Sequence, residues 1–521
     1  MSKGGSREGP LVHSTLATFW ALFRYSPTLT IVTLLAIRFL FRRYVSPLRR
    51  YPGPFLASGT RLHSAFLTWR GKTHEDHIAL HRKYGPVVRI QPNQLSFASP
   101  EAARQILSPG KGFHKTLFYW VFPPYGNPDI FTEVREEVHA TKKRFVNQPY
   151  SLASFQAMTP WVDQTIQLLC DKLDGICISG TLSTPLNLGD YLHYFAFDVL
   201  GQVAFSTAFG FLEQGKDVDG AIKSIDAVQV YDGIVGQIPF LDRFLRRAFY
   251  WDYLPWVTPL SNNYITRTAL AQLAKRENSN TKPGRRDLLS MLLESHEKDP
   301  NKFDKNSVFA VAHGAIFAGS DSTASTMQTF MWNILNNPSI YERLITEIFD
   351  AHQAGKLSEI VAWDESQKHL PYFQACLKEA MRIGPAVGLA IYRKVPGTGT
   401  EINGTFIPCG TELAVNAWVL HRDQDIFGRD ADVYRPERWL AAEGDEKNES
   451  RIKRMDRYMF QFGGGSHVCI GRNLAILEIN KVLPQLLRRY KFELVAPGRP
   501  MHQHSSFFVV QEGLEVRFQR R

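Results

Sequence analysis

Apolar residues crowd the start of the chain in two runs, residues 11–23 and 27–41, parted by Arg24, Tyr25 and Ser26. Past residue 50 the pattern turns amphipathic. Residues 152–300 keep a helical spacing. Phe373, Leu377 and Met381 recur at i, i+4 and i+8 and predict a helix over 371–383. Residues 307–335 and 472–489 predict two more. The first of these carries Ser320, Asp321, Ser322 and Thr323 at its middle. Short polar side chains there compete with the backbone for hydrogen bonds, so the segment reads as a bent helix unless chemistry requires them. Strand patterns are few: 87–90 after a turn at Gly85-Pro86, 389–395, and the tail 491–518 with residues 505–508 as a turn. The chain therefore pairs a β-rich piece with an otherwise helical body.

Between these elements lie stretches of unusual composition. Residues 109–132 are broken by Pro and Gly yet hold Phe113, Phe118, Tyr119, Trp120 and Phe122. A plain surface loop rarely carries so many rings, so core filler and a lid over an apolar ligand both remain open. Residues 229–257 are likewise aromatic and read as a second part of the lid or an edge dipping into a membrane. Residues 275–286 read as a polar, mobile loop.

Charge and the apolar start belong together. Residues 1–10 are polar, and 11–41 are expected to anchor the chain in a membrane. Arg38 shortens the second run below the roughly 20 residues of a full span, so an amphipathic segment lying on the surface stays open. No small-residue cleavage site is evident, which favours a retained anchor. Arg42, Arg43, Arg49 and Arg50 follow, and positive residues beside a span stay cytoplasmic. Residues 42–54 form this basic stretch and the stiff hinge Tyr51-Pro52-Gly53-Pro54; residues 55–521 form the body. On this topology the sequons at Asn403 and Asn448 stay unused. Lys and Arg outnumber Asp and Glu by 61 to 50. That balance suits an anionic membrane or an acidic partner; without interleaved basic and aromatic repeats, nucleic acid is not expected. The 5 cysteines are scattered and form no C-x-x-C pair, which argues against disulfides or a zinc knuckle and for a reducing compartment. No G-x-G-x-x-G or P-loop is present, so the chain is not expected to bind its own nicotinamide or flavin.

The densest chemistry lies at 462–471, Phe-Gly-Gly-Gly-Ser-His-Val-Cys-Ile-Gly. Gly463, Gly464, Gly465 and Gly471 allow positive φ and close approach of another body. Cys469 sits just before the helix at 472–489, where N–H groups favour a thiolate, and Phe462 walls one side of it. Taken alone, a structural cysteine in a Gly-rich loop would serve as well.

The full spacing Phe-x-x-Gly-x-x-x-Cys-x-Gly, however, resembles the haem-thiolate loop of the cytochrome P-450 family, in which this cysteine is the axial ligand of the iron. Further motifs resemble the family in its order. They are the hinge at 51–54, Ala318-Gly319-Ser320-Asp321-Ser322, Glu379-x-x-Arg382, and Pro436-Glu437-Arg438. The resemblance covers 51–518 and looks most like fungal members such as the pisatin demethylase-like group. It implies one large, mainly α domain with a smaller β-rich lobe, haem lying between Gly319 and Cys469, and a buried scaffold triad of Glu379, Arg382 and Arg438. It also implies that Arg393 binds a haem propionate. His139 and Lys143 stand where the family has Trp and Arg, and His467 stands where it has Arg, which makes propionate pairing weaker there and pH-dependent. Asp321 and Ser322, with Thr323 as a substitute, would relay protons to dioxygen. Electrons would come from a separate NADPH-dependent reductase docking near Lys142, Lys143 and Arg144, and the substrate would be apolar. The implied place is the endoplasmic reticulum membrane with the body in the cytosol, in fungal secondary metabolism. A haem-thiolate isomerase or dehydratase needing no external electrons, or a non-catalytic haem-binding membrane protein, are the alternatives.

Overall fold

The computed structural model describes residues 26–521 except 123, 125, 178–181, 246–263, 279–283 and 443. The apolar run 11–23 and much of the second half of 229–257 lie outside the described residues.

The helix Lys305–Leu335, 31 residues long, is the axis of the body; the Asp304 side chain caps it by accepting from the Ser307 N–H. Its mid-helix hydroxyls do not break it, because four of them find an acceptor one turn back. Ser322 donates to the Ala318 carbonyl, Thr323 to Gly319, Thr326 to Ser322 and Thr329 to Ser325. The apolar helix Leu188–Phe205 packs along this axis. Gly319 allows that approach: a Cβ there would stand 3.3 Å from the Leu200 methyl carbons. The glycine thus serves helix packing.

The expected helix Pro371–Ile383 buries Phe373, Leu377 and Met381. Arg472–Arg489 is buried on all sides from Leu477 to Leu487 and ends on Arg488 and Arg489, cations suited to a helix C-terminus. The β-rich lobe is a five-stranded sheet ordered Val87–Gln91, Gln94–Phe97, Glu412–Val415, Ile391–Lys394, His114–Lys115. Gln94–Phe97 runs parallel to Glu412–Val415, and the other pairs are antiparallel. A second core lies beneath it, around Leu95, Phe97, Leu413, Val415 and Trp439. The tail forms strands as expected. Tyr490–Leu494 and Glu515–Arg520 pair with each other, and His502–Ser505 pairs with Val509–Glu512. Between the latter, the turn buries Phe507 and Phe508.

The helix Pro27–Tyr44 exposes Leu29, Ile31, Val32, Leu35, Ile37 and Phe41. Among the described residues no helix is long and apolar enough to cross a membrane. This helix is fastened to the body at its C-terminal end. Arg89, buried, donates to the Arg42 carbonyl at 2.8 Å, and the ring of Phe39 lies against Phe55 and the bare face of Gly59.

In 109–132 the segment Leu117–Val121 is a 3₁₀ turn, and Phe113, Phe118, Tyr119 and Phe122 are buried; Trp120 alone of the five is exposed. The loop expected at 275–286 needs a correction at its start. In 275–286 the first four residues belong to the helix Tyr264–Asn278, and Arg276 pairs with buried Asp287 at 2.6 Å.

Candidate active site

The cysteine loop closes on itself. The Cys469 N–H donates to the Phe462 carbonyl at 2.8 Å and the Gly463 N–H to Phe460 at 2.9 Å. Two glycines, not four, need positive φ: Gly463 at 73° and Gly465 at 63°. Gly464 is extended and Gly471 helical. Gly465 is also required by space, since a Cβ there would fall 1.8 Å from the Leu107 carbonyl oxygen. Cys469 is exposed. The backbone N–H groups of Gly471 and Arg472 bond its sulfur and, with the Arg472 and Lys143 charges, favour the thiolate as expected; burial opposes them and on balance pushes the thiol up. Such a thiol ionises when it takes a cationic ligand.

On the long helix, Ala318 is exposed and Ser322 part-open, while Phe317, Ser320, Asp321 and Thr323 are buried. Positions four apart share a helix face, so Ala318 and Ser322 form an open strip in an otherwise closed surface. Thr323 faces away with its hydroxyl on the Gly319 carbonyl, and the substitute role expected of it does not suit that placement. Asp321 also turns away from the strip. Its Oδ1 lies 2.8 Å from His193 Nε2, and its Oδ2 accepts from Gln229 Nε2 at 2.6 Å.

A basic cluster stands near the cysteine loop. Buried Arg393 commits only Nη1, to the Tyr392 carbonyl and the Tyr119 hydroxyl. Lys115 lies opposite it in the sheet and caps the Ile130, Phe131 and Glu133 carbonyls. Burial, then the Arg393 charge, pushes Lys115 down to about 7. His139 and His467 stack with ring centres 4.2 Å apart. His467 Nε2 holds Glu136 at 3.0 Å, and its Nδ1 is buried without a partner. Burial pushes His467 down to about 4 and His139 to about 3. Both rings are therefore neutral near pH 7, and the pH-dependent cation expected at His467 is absent from that range. Lys143 donates to the Ser466 carbonyl. Lys142 is buried on the Pro128 carbonyl, which removes it from the expected docking face and leaves Arg144 exposed.

Glu379, Arg382 and Arg438 meet as expected, with all three side chains fully buried. Arg382 bonds both carboxylate oxygens at 2.8 Å, and Arg438 Nε adds a third bond at 2.8 Å. Trp439 Nε1 and the Arg435 N–H complete the shell. Arg382 spends its remaining donors on the carbonyls of His421, Ala431 and Val433.

The family model for cytochrome P450 matches residues 50–518. The chain belongs to the cytochrome P450 family. It is 35% identical to the cytochrome P450 monooxygenase cicH of Emericella nidulans over 94% of this chain and 97% of that one. It is 33% identical to the monooxygenase gsfF of Penicillium aethiopicum over 92% and 95% respectively. The monooxygenase mpaDE' of Penicillium brevicompactum is 33% identical over 93% of this chain, which spans 57% of that longer protein. This P450 is thus a monooxygenase whose cofactor is a thiolate-ligated haem, and the electron-independent and non-catalytic alternatives fall away. As in P450 monooxygenases generally, a redox partner, a substrate and dioxygen take part.

The residues fit that cofactor. An exposed cysteine, a buried Nδ1 without a partner, and a guanidinium with Nη2 and Nε uncommitted can accept an iron-centred plane with an acidic edge. Sequence reasoning missed Lys115, Glu136, His193 and Gln229. Glu136 stands three before His139, a helical neighbour; His193 and Gln229 are polar residues inside apolar helical runs. Those were the available signals.

Proposed function

We propose that Cys469 supplies the thiolate that holds the haem iron, and that the enzyme oxidises an apolar small molecule with electrons from an NADPH-dependent reductase. The observation that carries this is Cys469, exposed on its Gly-rich loop with its sulfur accepting from two backbone N–H groups at a helix start. The haem supplies dioxygen activation when bound, and a thiolate ligand favours O–O cleavage. Arg393, with His467, His139 and Lys143, holds the acidic edge by donating hydrogen bonds. Ser322 Oγ, on the open strip, passes a proton inward, and Asp321 replenishes it after its carboxyl swings from His193 toward the strip. Phe122, Phe317, Phe507 and Phe508, with ring centres 5.0–6.1 Å apart, wall an apolar substrate and exclude water.

The reductase docks on the basic face that carries exposed Arg144. The chain rests at the endoplasmic reticulum membrane with residues 11–41 as anchor and the body cytosolic. Exposed Phe55, Leu56, Leu62, Phe66 and Trp69, beside the apolar helix Pro27–Tyr44, support contact with lipid. Fungal relatives support a role in fungal secondary metabolism. The test is spectroscopic. The reduced carbon monoxide complex should show the red-shifted Soret band of thiolate ligation, and Cys469→Ser should lose it. A Cys469→Ser protein keeping that band would sink the assignment.

A further inference from the structure

Asp321 cannot be recharged directly from bulk water, because its side chain is 4% exposed. Its partner His193 is 15% exposed, and one turn earlier on the same helix Asp190 stands in solvent. Exposure therefore falls stepwise from Asp190 through His193 to Asp321, across two helices packed along each other. Asp226, part-buried on the neighbouring helix Ala221–Gly236, has an Oδ1 without a partner and acts on both His193 and Asp321 through its charge. Glu512, at the end of the strand Val509–Glu512, acts on Asp190 and Asp226. The groups facing His193 are thus all acids: Asp321 from the long helix, Asp226 from the helix beside it, Asp190 from its own.

We propose that His193 is the residue that recharges Asp321 with protons, passing one from Nε2 to Oδ1 and regaining one from water at the acidic mouth. This rests on the monooxygenase reading above. The step is a proton transfer alone. The imidazolium becomes neutral imidazole, the carboxylate becomes carboxyl, and water at the mouth restores the imidazolium. A permanently charged partner would hold Asp321 equally well but could not recharge it. Burial alone would lower the His193 pKa; the Asp321 hydrogen bond and charge, with smaller contributions from Asp226 and Asp190, outweigh it and raise the value above the ordinary imidazole range. Asp226 is itself pushed up to about 7 by burial and the Asp321 charge, so Asp321 remains the main cause. Gln229 holds the other oxygen, and its Oε1 accepts from the Phe508 N–H at 3.0 Å. Asp321 is thereby tied to the turn that carries Phe507 and Phe508, which keeps Oδ1 aimed at His193.

The experiment uses the full-length, haem-loaded protein with NADPH-dependent reductase in phosphatidylcholine vesicles and no organic substrate. NADPH oxidation, peroxide and oxygen uptake are followed across pH 6–9, in water and deuterium oxide. The wild-type rate should fall as pH rises through the His193 value. His193→Gln, which keeps a donor to Oδ1, should slow NADPH oxidation by about 10- to 100-fold and flatten the pH profile. His193→Arg keeps the ion pair with a group that does not release protons and should stay equally slow. A structural role predicts rescue by arginine; either variant with the wild-type rate and profile overturns the proposal. Deuterium exchange at the His193 C2–H reads the coupling in the resting protein without turnover. Its midpoint should fall by about one pH unit or more in Asp321→Asn, and an unmoved midpoint overturns the proposal as well. Absence of the thiolate band in the wild type would instead defeat the haem-ligand reading above, leaving the exchange result to judge His193.

Discussion

Glu379 and Asp321 are both buried carboxylates on helices, and in each both oxygens are hydrogen-bonded. Their partners differ in kind. Glu379 faces two guanidiniums, which do not release protons in proteins. Asp321 faces an imidazole, which does so near neutral pH, and a neutral amide. Burial would raise the Glu379 pKa, but Arg382 and Arg438 hold it below the ordinary carboxylate range. On the other side, Asp321 raises the pKa of its own partner, His193. Two buried carboxylates with both oxygens bonded thus become a fixed joint in one place and, on the proposal above, a proton-handling site in the other. What decides between them is the acidity of the partner.

The largest effect expected from breaking this contrast lies at the fixed joint. Glu379→Ala leaves two buried guanidiniums without their counter-ion and should cost about 3–5 kcal/mol. The outcome should be apoprotein or aggregate, read from the haem-to-protein ratio and thermal melting. Because the folded Glu379 pKa is lowered, its contribution is present above the ordinary carboxylate value and is lost only as pH falls through the folded value. Glu379→Ala protein recovered with full haem content would show that the joint does not carry the fold.

The joint was legible in the sequence and Asp321's setting was not, for a physical reason. Glu379 and Arg382 are three apart on one helix, so spacing alone makes them neighbours; Arg438 came with its own motif. The loop around Cys469 was likewise visible in its spacing, and the order of the motifs and the mainly α body with a β-rich lobe followed from the family resemblance those motifs carry. His193 and Gln229 reach Asp321 across 128 and 92 residues of chain, and no periodicity encodes a contact between packed helices. The aromatic stretch 109–132 left two readings open. Composition marks the rings as apolar, but only packing shows Phe118 and Phe122 inside and Trp120 outside. At Cys469 the helix position announced the N–H groups on the sulfur, but not the opposing cost of burial.

Next in size is the change at the proton-handling site. Asp321→Asn keeps the bond to His193 or Gln229 but has no proton to give, so turnover should slow by about 10²–10⁴ with fold and haem spectrum unchanged. A stability signature goes with it. The folded His193 pKa is raised, so its contribution is full below the ordinary imidazole value and is lost as pH rises through the folded value. The difference in melting temperature between wild type and Asp321→Asn should therefore narrow as pH passes upward through neutrality. An unchanged turnover rate in Asp321→Asn would place proton delivery elsewhere.

The smallest effects sharpen the contrast within one helix, at adjacent hydroxyls. Ser322 and Thr323 each donate to the carbonyl one turn back, at 2.7 and 2.9 Å, so their local bonding is equivalent. Their surroundings are not: Ser322 lies beside Ala318 on the open strip and Thr323 is buried. Thr323→Val preserves volume, and the Gly319 carbonyl keeps its main-chain partner in the helix, so stability should change by no more than about 1 kcal/mol and turnover by no more than about twofold. Ser322→Ala should leave NADPH oxidation near normal while releasing more peroxide per NADPH, because a water can take the place of the hydroxyl but holds its position less firmly. Ser322→Thr restores the hydroxyl and should return peroxide to the wild-type level. NADPH, peroxide and product counted in one reconstituted reaction separate these outcomes. Peroxide rising in Thr323→Val, with Ser322→Ala unchanged, would transfer the role to the buried hydroxyl and show that exposure on the strip does not select the proton donor.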